Sequence, residues 1–271
     1  MKKRLSVSRK QNRYDAIIER IFTRHHSSGI QSFDFTREEF ETTAIELDIK
    51  LPKNIGDVLY SFRYRKALPK AICETASKGC EWIIEGAGIA KYRFRLAKVS
   101  RIIPSESLVT IKVPDATPEI IRAYAQTDEQ TLLAKIRYNR LIDIFLGLAT
   151  YSLQNHLRTT VKNIGQIEID EIYVGIDKYG RQFVIPVQAK GGNDQHGIVQ
   201  TQQDIACCAE KFPTLICRPV SAQFMSIDKI ALFELAIENA DIKIVEERHY
   251  KLVPASEISI QDLNAYNIRS K

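Results

Sequence analysis

Two apolar runs, residues 166–176 and 182–187, flank the pentapeptide Asp177-Lys178-Tyr179-Gly180-Arg181, and no other stretch restricts the fold so tightly. Strand-like runs separated by a short polar segment containing Gly predict a β-hairpin, with Gly180 taking the left-handed position of the loop. If Lys178, Tyr179 and Gly180 form the loop, Asp177 opposes Arg181, and counting outward places Asp170 across from Gln188. Opposed side chains on one face have Cβ atoms ~5 Å apart. Strand alternation adds Lys190 to the same face. A carboxylate, an amide and an ammonium then converge at the open end of the hairpin.

Those groups suit a divalent cation and a phosphate. Magnesium takes oxygen ligands, which Asp170, the Gln188 side chain and the Ala189 carbonyl can supply. Lys190 can screen developing negative charge or orient a water. Gly191 and Gly192 leave the backbone bare just beyond. The bland alternative is a polar hairpin end with a solvated lysine.

The set Asp170 with Gln188-Ala189-Lys190 resembles the PD-(D/E)XK nuclease superfamily, in the variant where Gln replaces the acidic residue. The surrounding elements extend the resemblance over residues 128–255. It differs from the family pattern in lacking the leading Pro-Asp, because Ile169 precedes Asp170. A helix over 128–148 comes first. Cores of this type often bring a carboxylate from that helix, which points to Asp143. If its stripe faces the hairpin, Asp143 approaches Asp170, and Asp143→Asn should cut activity yet stabilise the metal-free fold. After the hairpin, the pattern predicts a helix over 197–212, a strand over 214–219, a helix over 227–239 and a strand over 242–253. Gln200, Gln203 and Asp204 fall near the start of the first of these helices as expected DNA contacts. The polar stretch 151–158 offers Gln154, Asn155 and Arg158 as further contacts.

Charge divides the chain unevenly. Residues 1–100 hold 20 Lys and Arg against 12 Asp and Glu, whereas residues 101–271 hold 19 against 21. A basic N-terminal part suggests a polyanionic partner. Residues 1–13 read as a basic arm. A helix over 14–26, a short extended piece at 32–35, a helix capped by Thr36 with Glu39, a third helix over 55–64 and two strands with a Gly-rich tip follow. That order, over 14–98, resembles a winged helix-turn-helix domain, in which the third helix usually enters the major groove. The resemblance makes Lys53, Arg63, Arg65 and Lys66 candidate DNA contacts, with Lys91 and Arg93 (and Arg95) tracking the backbone along the wing. A protein-binding winged helix with a charged outer face is the other reading. Residues 99–127, with three prolines, read as a linker, and 128–271 as the nuclease domain.

The expected class is therefore α/β: a restriction-endonuclease-like mixed-sheet core preceded by a winged helix-turn-helix domain. The expected activity is Mg²⁺-dependent type II restriction cleavage of double-stranded DNA. A homodimer and a cognate DNA methyltransferase of the same system are the further partners such a nuclease would have. A repair or mobile-element nuclease of the same fold, or a transcription regulator with an inactive nuclease-like domain, are the rivals. No run approaches the ~18 apolar residues that a membrane span needs. The basic N-terminus lacks the apolar core of a secretory signal. Five cysteines without a CxxC pair fit reduced thiols, and hence the cytoplasm.

Overall fold

In a computed structural model of the 271-residue chain, the described residues are 13–64, 66–98, 102–124, 128–191, 196–226, 228–239 and 241–268. They divide into two units: those up to Lys98 together with Lys162–Gly165, and the remainder.

In the first unit, helix α1 (Arg13–His25) buries Ile17, Ile18, Ile21 and Phe22 along one stripe, as the helical spacing predicts. Strand β1 (Ser32–Thr36) leads into α2 (Arg37–Glu46). There Thr36 and Glu39 form the expected capping box, each side chain bonding the other's backbone N–H. Phe40 and Ala44 turn inward, but Ile45 is 80% exposed and Thr43 takes the buried place. Helices α3 (Ile55–Tyr64) and α4 (Lys70–Cys73) precede β2 (Cys80–Gly88) and β3 (Lys91–Lys98). The strand tip lies at Ile89-Ala90, later than the glycines suggest, with Ala90 at φ +56°. The three strands form an antiparallel sheet in the order β1-β3-β2. Phe94, fully buried, packs within 5.1–5.3 Å of the rings of Phe22, Phe33 and Phe35.

The second unit is built on an eight-stranded mixed sheet. Its strands are β4 (Thr110–Pro114), β5 (Ala149–Val161), β6 (Gly165–Ile176), β7 (Gln182–Lys190), β8 (Ile216–Cys217), β9 (Val220–Phe224), β10 (Lys229–Glu238) and β11 (Asp241–Val253). The order is β4-β11-β10-β9-β7-β6-β5, with β8 also beside β7. Helix α5 (Glu119–Tyr124) follows β4, and α6 (Glu129–Tyr138) and α7 (Leu141–Leu146) precede β5. Helix α8 (Ile198–Lys211) crosses from β7 to the parallel β9, and α9 (Ile260–Ile268) ends the described chain. Pro186, which has no N–H to donate, falls where β7 changes partners: β8 pairs at Phe183 and Val184, β9 from Val187 on.

Three expectations are corrected here. The helix expected over 128–148 is two helices, broken where Arg140 takes φ +50°. The break is held by Asn139, whose buried amide donates to Thr117 Oγ1 and the Lys135 carbonyl and accepts from Ala116 N. The stretch expected as linker contains β4, paired parallel with β11, so that part belongs to the second unit's sheet. The helix expected over 227–239 is strand β10. Leu232 and Ile230 pack on one side and Ala231, Phe233 and Leu235 on the other. A strand buried on both faces shows no alternation to distinguish it from helix, and tertiary burial outweighs its helix-favouring Ala, Leu and Glu content. Among the described residues, no helix is long and apolar enough to cross a membrane.

The hairpin β6–β7 has the predicted register, from Glu171 opposite Val187 to Ile176 opposite Gln182. Gly180 closes it at φ +80°, with open space where a Cβ would stand. Its cost to another residue is therefore conformational. Gly180→Ala should destabilise the second unit by about 1 kcal/mol, and Gly180→Asn by less, because Asn tolerates the left-handed region. Urea denaturation measures both, and equal stability of all three proteins would contradict this turn.

Candidate active site on the hairpin

The turn itself is over-determined. Asp177 Oδ1 accepts from Tyr179 N and Arg181 N, each at 2.9 Å, and Oδ2 takes Arg181 Nε at 2.6 Å. Backbone bonds Asp177 N to Arg181 O and Gly180 N to Asp177 O complete it. The paired part of the ladder ends at Glu171–Val187, one step short of Asp170 and Gln188, and continued alternation puts those two on one face. Asp170 Oδ2 accepts from Ala189 N at 2.8 Å. Burial pushes the Asp170 carboxyl up, and the Ala189 bond and the Lys190 charge offset this only in part. Lys190 lies two residues beyond Gln188, largely covered, with Glu129 from the first turn of α6 at 4.0 Å.

Helix α8 covers the Gln188 face. Gln188 Nε2 donates to Asp204 Oδ1 and to the Glu168 carbonyl, both at 3.1 Å. Asp204 is 2% exposed, so it is a floor residue rather than a DNA contact. Burial drives its carboxyl well above the usual range, the Gln188 bond opposes this, and Asp170 adds to the rise. His196, just before α8, bonds Thr201 Oγ1 at 2.6 Å, and burial, then Lys190, pushes it down to about 3, so it is neutral. Glu168, two residues before Asp170, carries His156 Nδ1 at 3.5 Å and Arg158 Nη2 at 3.3 Å. Glu168 was visible in the sequence as the next same-face position of β6. Glu129 arrives from a segment remote along the chain, and no local pattern marks it or His196.

Asp143 does not join this set. Its carboxylate accepts from Thr150 N and Thr150 Oγ1, both at 2.9 Å, and from Arg140 Nη2 at 2.5 Å. Thr150 lies beside Gly175, five residues along β6 from Asp170, which is ~16 Å at strand rise. Burial raises the Asp143 carboxyl, but the Arg140 and Thr150 bonds outweigh it and hold the group below its usual value. Among the described residues, no three His, Cys, Asp or Glu side chains are grouped so as to hold a metal ion alone. The expected ligand set leans instead on an amide and a backbone oxygen.

The expected DNA contacts are placed unequally. Lys53 and Lys91 are exposed in the first unit. Arg93 is paired with Asp34 through two bonds, and Arg95 with Glu85. Lys66 bonds Asp15 and lies over the Phe62 ring, and Arg63 is half-buried on α3. In the second unit, Asn155 Oδ1 accepts from Arg137 Nη2 at 3.0 Å, and Arg158 is 70% exposed beside Glu168. Between them His156 bonds Gln130 at 2.8 Å and takes φ +48°, uncommon for a non-Gly residue in a strand. Arg65, Gly192 and the basic arm up to residue 12 lie outside the described residues.

Comparison with protein-family models, curated proteins and solved structures finds no match.

The bonds around Asp143 generate a stability prediction opposite to the one its sequence position suggests. Asp143→Asn should destabilise the second unit at neutral pH by ~1–3 kcal/mol, because it removes charge-assisted hydrogen bonds. A carboxyl whose folded pKa is lowered stabilises above its unfolded pKa and loses that contribution as pH falls through the folded value. The gap between Asp143→Asn and wild type should therefore close in acid. Denaturation curves from pH 7 down to pH 2 follow it, and a gap that persists in acid would contradict the assignment.

Proposed function

We propose that this chain is a metal-dependent endonuclease acting on double-stranded DNA, of restriction type, with the first unit as reader and the β6–β7 hairpin as cutter. The observation that carries the reading is the expected register of the hairpin, which by strand alternation puts Asp170, Gln188 and Lys190 on one face. Part of the element order supports it: helices α6 and α7, strands β5 to β7, then α8 crossing to a parallel β9 beside β7, although strand β10 stands where the PD-(D/E)XK pattern expects a helix. For the reader, a helix, a strand, three helices (α4 a single turn) and a β1-β3-β2 sheet are similar to the winged helix-turn-helix order.

The residues fit a magnesium ion. Asp170 is half-buried with one oxygen bonded to Ala189 N, and the buried Asp204 stands behind Gln188. A divalent cation at Asp170 would add to the positive charge that Lys190 brings to a carboxyl pushed up by burial. Asp170, the Gln188 side-chain oxygen and the Ala189 carbonyl would hold it, all hard oxygen donors. When bound, the ion polarises the phosphodiester and lowers the pKa of its water. Lys190 presents an ammonium to the developing negative charge, and Glu129 keeps that ammonium near the hairpin end. Ala189 N–H fixes one Asp170 oxygen and leaves the other to the ion.

A transcription regulator with an inactive nuclease-like domain remains the reading from another class. The experiment that separates them incubates the protein with methylated and unmethylated plasmid DNA plus Mg²⁺ and maps the ends. Wild type should cut one of the two substrates. Asp170→Ala and Lys190→Ala should each lower the rate at least ~10²-fold while still shifting duplex DNA. Full cleavage by either variant would overturn the site. In the reader, Lys53→Ala and Lys91→Ala should each flatten the salt dependence of DNA binding by ~0.9 for every phosphate no longer neutralised. Salt slopes identical to wild type in both would remove the first unit from the DNA interface.

A further inference from the structure

Gln188 is the one member of the hairpin set whose chemistry depends on which way a side chain is turned. Its amide presents an oxygen at one end and an NH₂ at the other, nearly identical in shape. Only its neighbours decide the orientation. One end lies 3.1 Å from the Glu168 carbonyl and 3.1 Å from Asp204 Oδ1. A peptide carbonyl can only accept a hydrogen bond, so the end facing it must be the NH₂. Its two hydrogens then have two acceptors, one from β6 and one from α8. The oxygen is left as the end available to a cation, on the face shared with Asp170. Gln188 is 1% exposed and Asp204 2%, so water cannot readily take over either role.

We propose that Asp204 is a positioning residue that turns the Gln188 amide oxygen toward the metal, and thereby makes glutamine, rather than glutamate, the residue this site requires. The proposal rests on the nuclease reading above and explains its departure from the acidic family pattern. A glutamate at 188 would set a second carboxylate against Asp204 and the Glu168 carbonyl. The two carboxyls could face each other there only by holding a proton between them, and a carboxyl kept neutral in this way is a poor cation ligand. The usual expectation, that a carboxylate is the stronger ligand, is reversed as long as Asp204 stands behind it. With asparagine at 204, an NH₂ again separates the groups, and glutamate becomes acceptable.

Manganese affinity, measured on the full chain by electron paramagnetic resonance, tests this with Q188E, D204N, D204L and the double variant Q188E/D204N. Q188E and D204L should each bind Mn²⁺ ten- to a hundredfold more weakly, the usual cost of losing a partner that orients a ligand. D204N should stay within about threefold of wild type, since its Oδ1 can accept from Gln188, and Q188E/D204N should recover the affinity that Q188E loses. Rescue by a second substitution is not expected if Asp204 merely supports the fold. Tight Mn²⁺ binding by Q188E with Asp204 in place overturns the proposal. If Q188E does not fold, D204L decides, and wild-type affinity there overturns it equally. A metal-free measurement separates this failure from that of the nuclease reading. In ¹⁵N-glutamine-labelled protein, a Gln188 side-chain NH signal should move in D204L and hold in D204N. If it does so while wild type binds no Mn²⁺ and cuts no DNA, the amide lock stands but the nuclease reading and the metal-facing role both fall. If the signal ignores D204L, the lock itself is refuted.

Discussion

The register of β6 against β7 decides which side chains share a face, and a single turn sets it. Asp177 ties both ends of that turn to itself, and Gly180 supplies the one backbone conformation a three-residue closure needs. A slip of one residue would turn one strand over relative to the other. Asp170 would then share a face with Ala189 instead of Gln188 and Lys190, and the apolar set of the slipped strand would leave the side on which it packs. The burial of β7 along almost its whole length makes that slip costly. The turn and the core therefore select the same pairing.

The charged groups behind this face show how much the site asks of the fold. Asp204 and His196 are buried with few partners, and burial moves each toward its neutral form. Apolar residues at these positions would be cheaper to bury. On the opposite face the chain handles charge differently: Glu171, fully buried, accepts from Arg137 Nε and Ser152 Oγ. Arg218 and Glu234 likewise form a two-bond pair. The paired charges knit strands to helices, whereas the poorly paired ones gather around Gln188.

The hairpin was legible in the sequence because its signals are local: alternation, a Gly at the loop, and a polar turn. The capping box at Thr36 and Glu39 was legible for the same reason. Strand β10 was not, since burial on both faces erases alternation, and its composition favours helix. Strand β5 was hidden by the opposite effect. Nearly all of its residues from Tyr151 to His156 are exposed, so no apolar face marks it. The break at Arg140 depends on Asn139 reaching Ala116 and Thr117, more than twenty residues back. Asp204 could be placed on its helix from sequence, but its burial follows from α8 crossing over the sheet, which only the topology decides.

The two ends of the eight-stranded sheet are finished differently. At β4, Lys112 N donates to Tyr266 OH of α9, and Lys112 Nζ meets Asp262, so a helix lies along that edge. At β5 the sheet ends on thirteen residues of mostly polar strand, interrupted by the left-handed backbone of His156. A long straight edge is a template on which another chain can add a strand. The left-handed residue interrupts the regular backbone of that edge, and Asn155, His156 and Arg158 place amide, imidazole and guanidinium along it. The residue that stands beside Glu168 thus also breaks the regular edge on which a second copy of the sheet would have to pair.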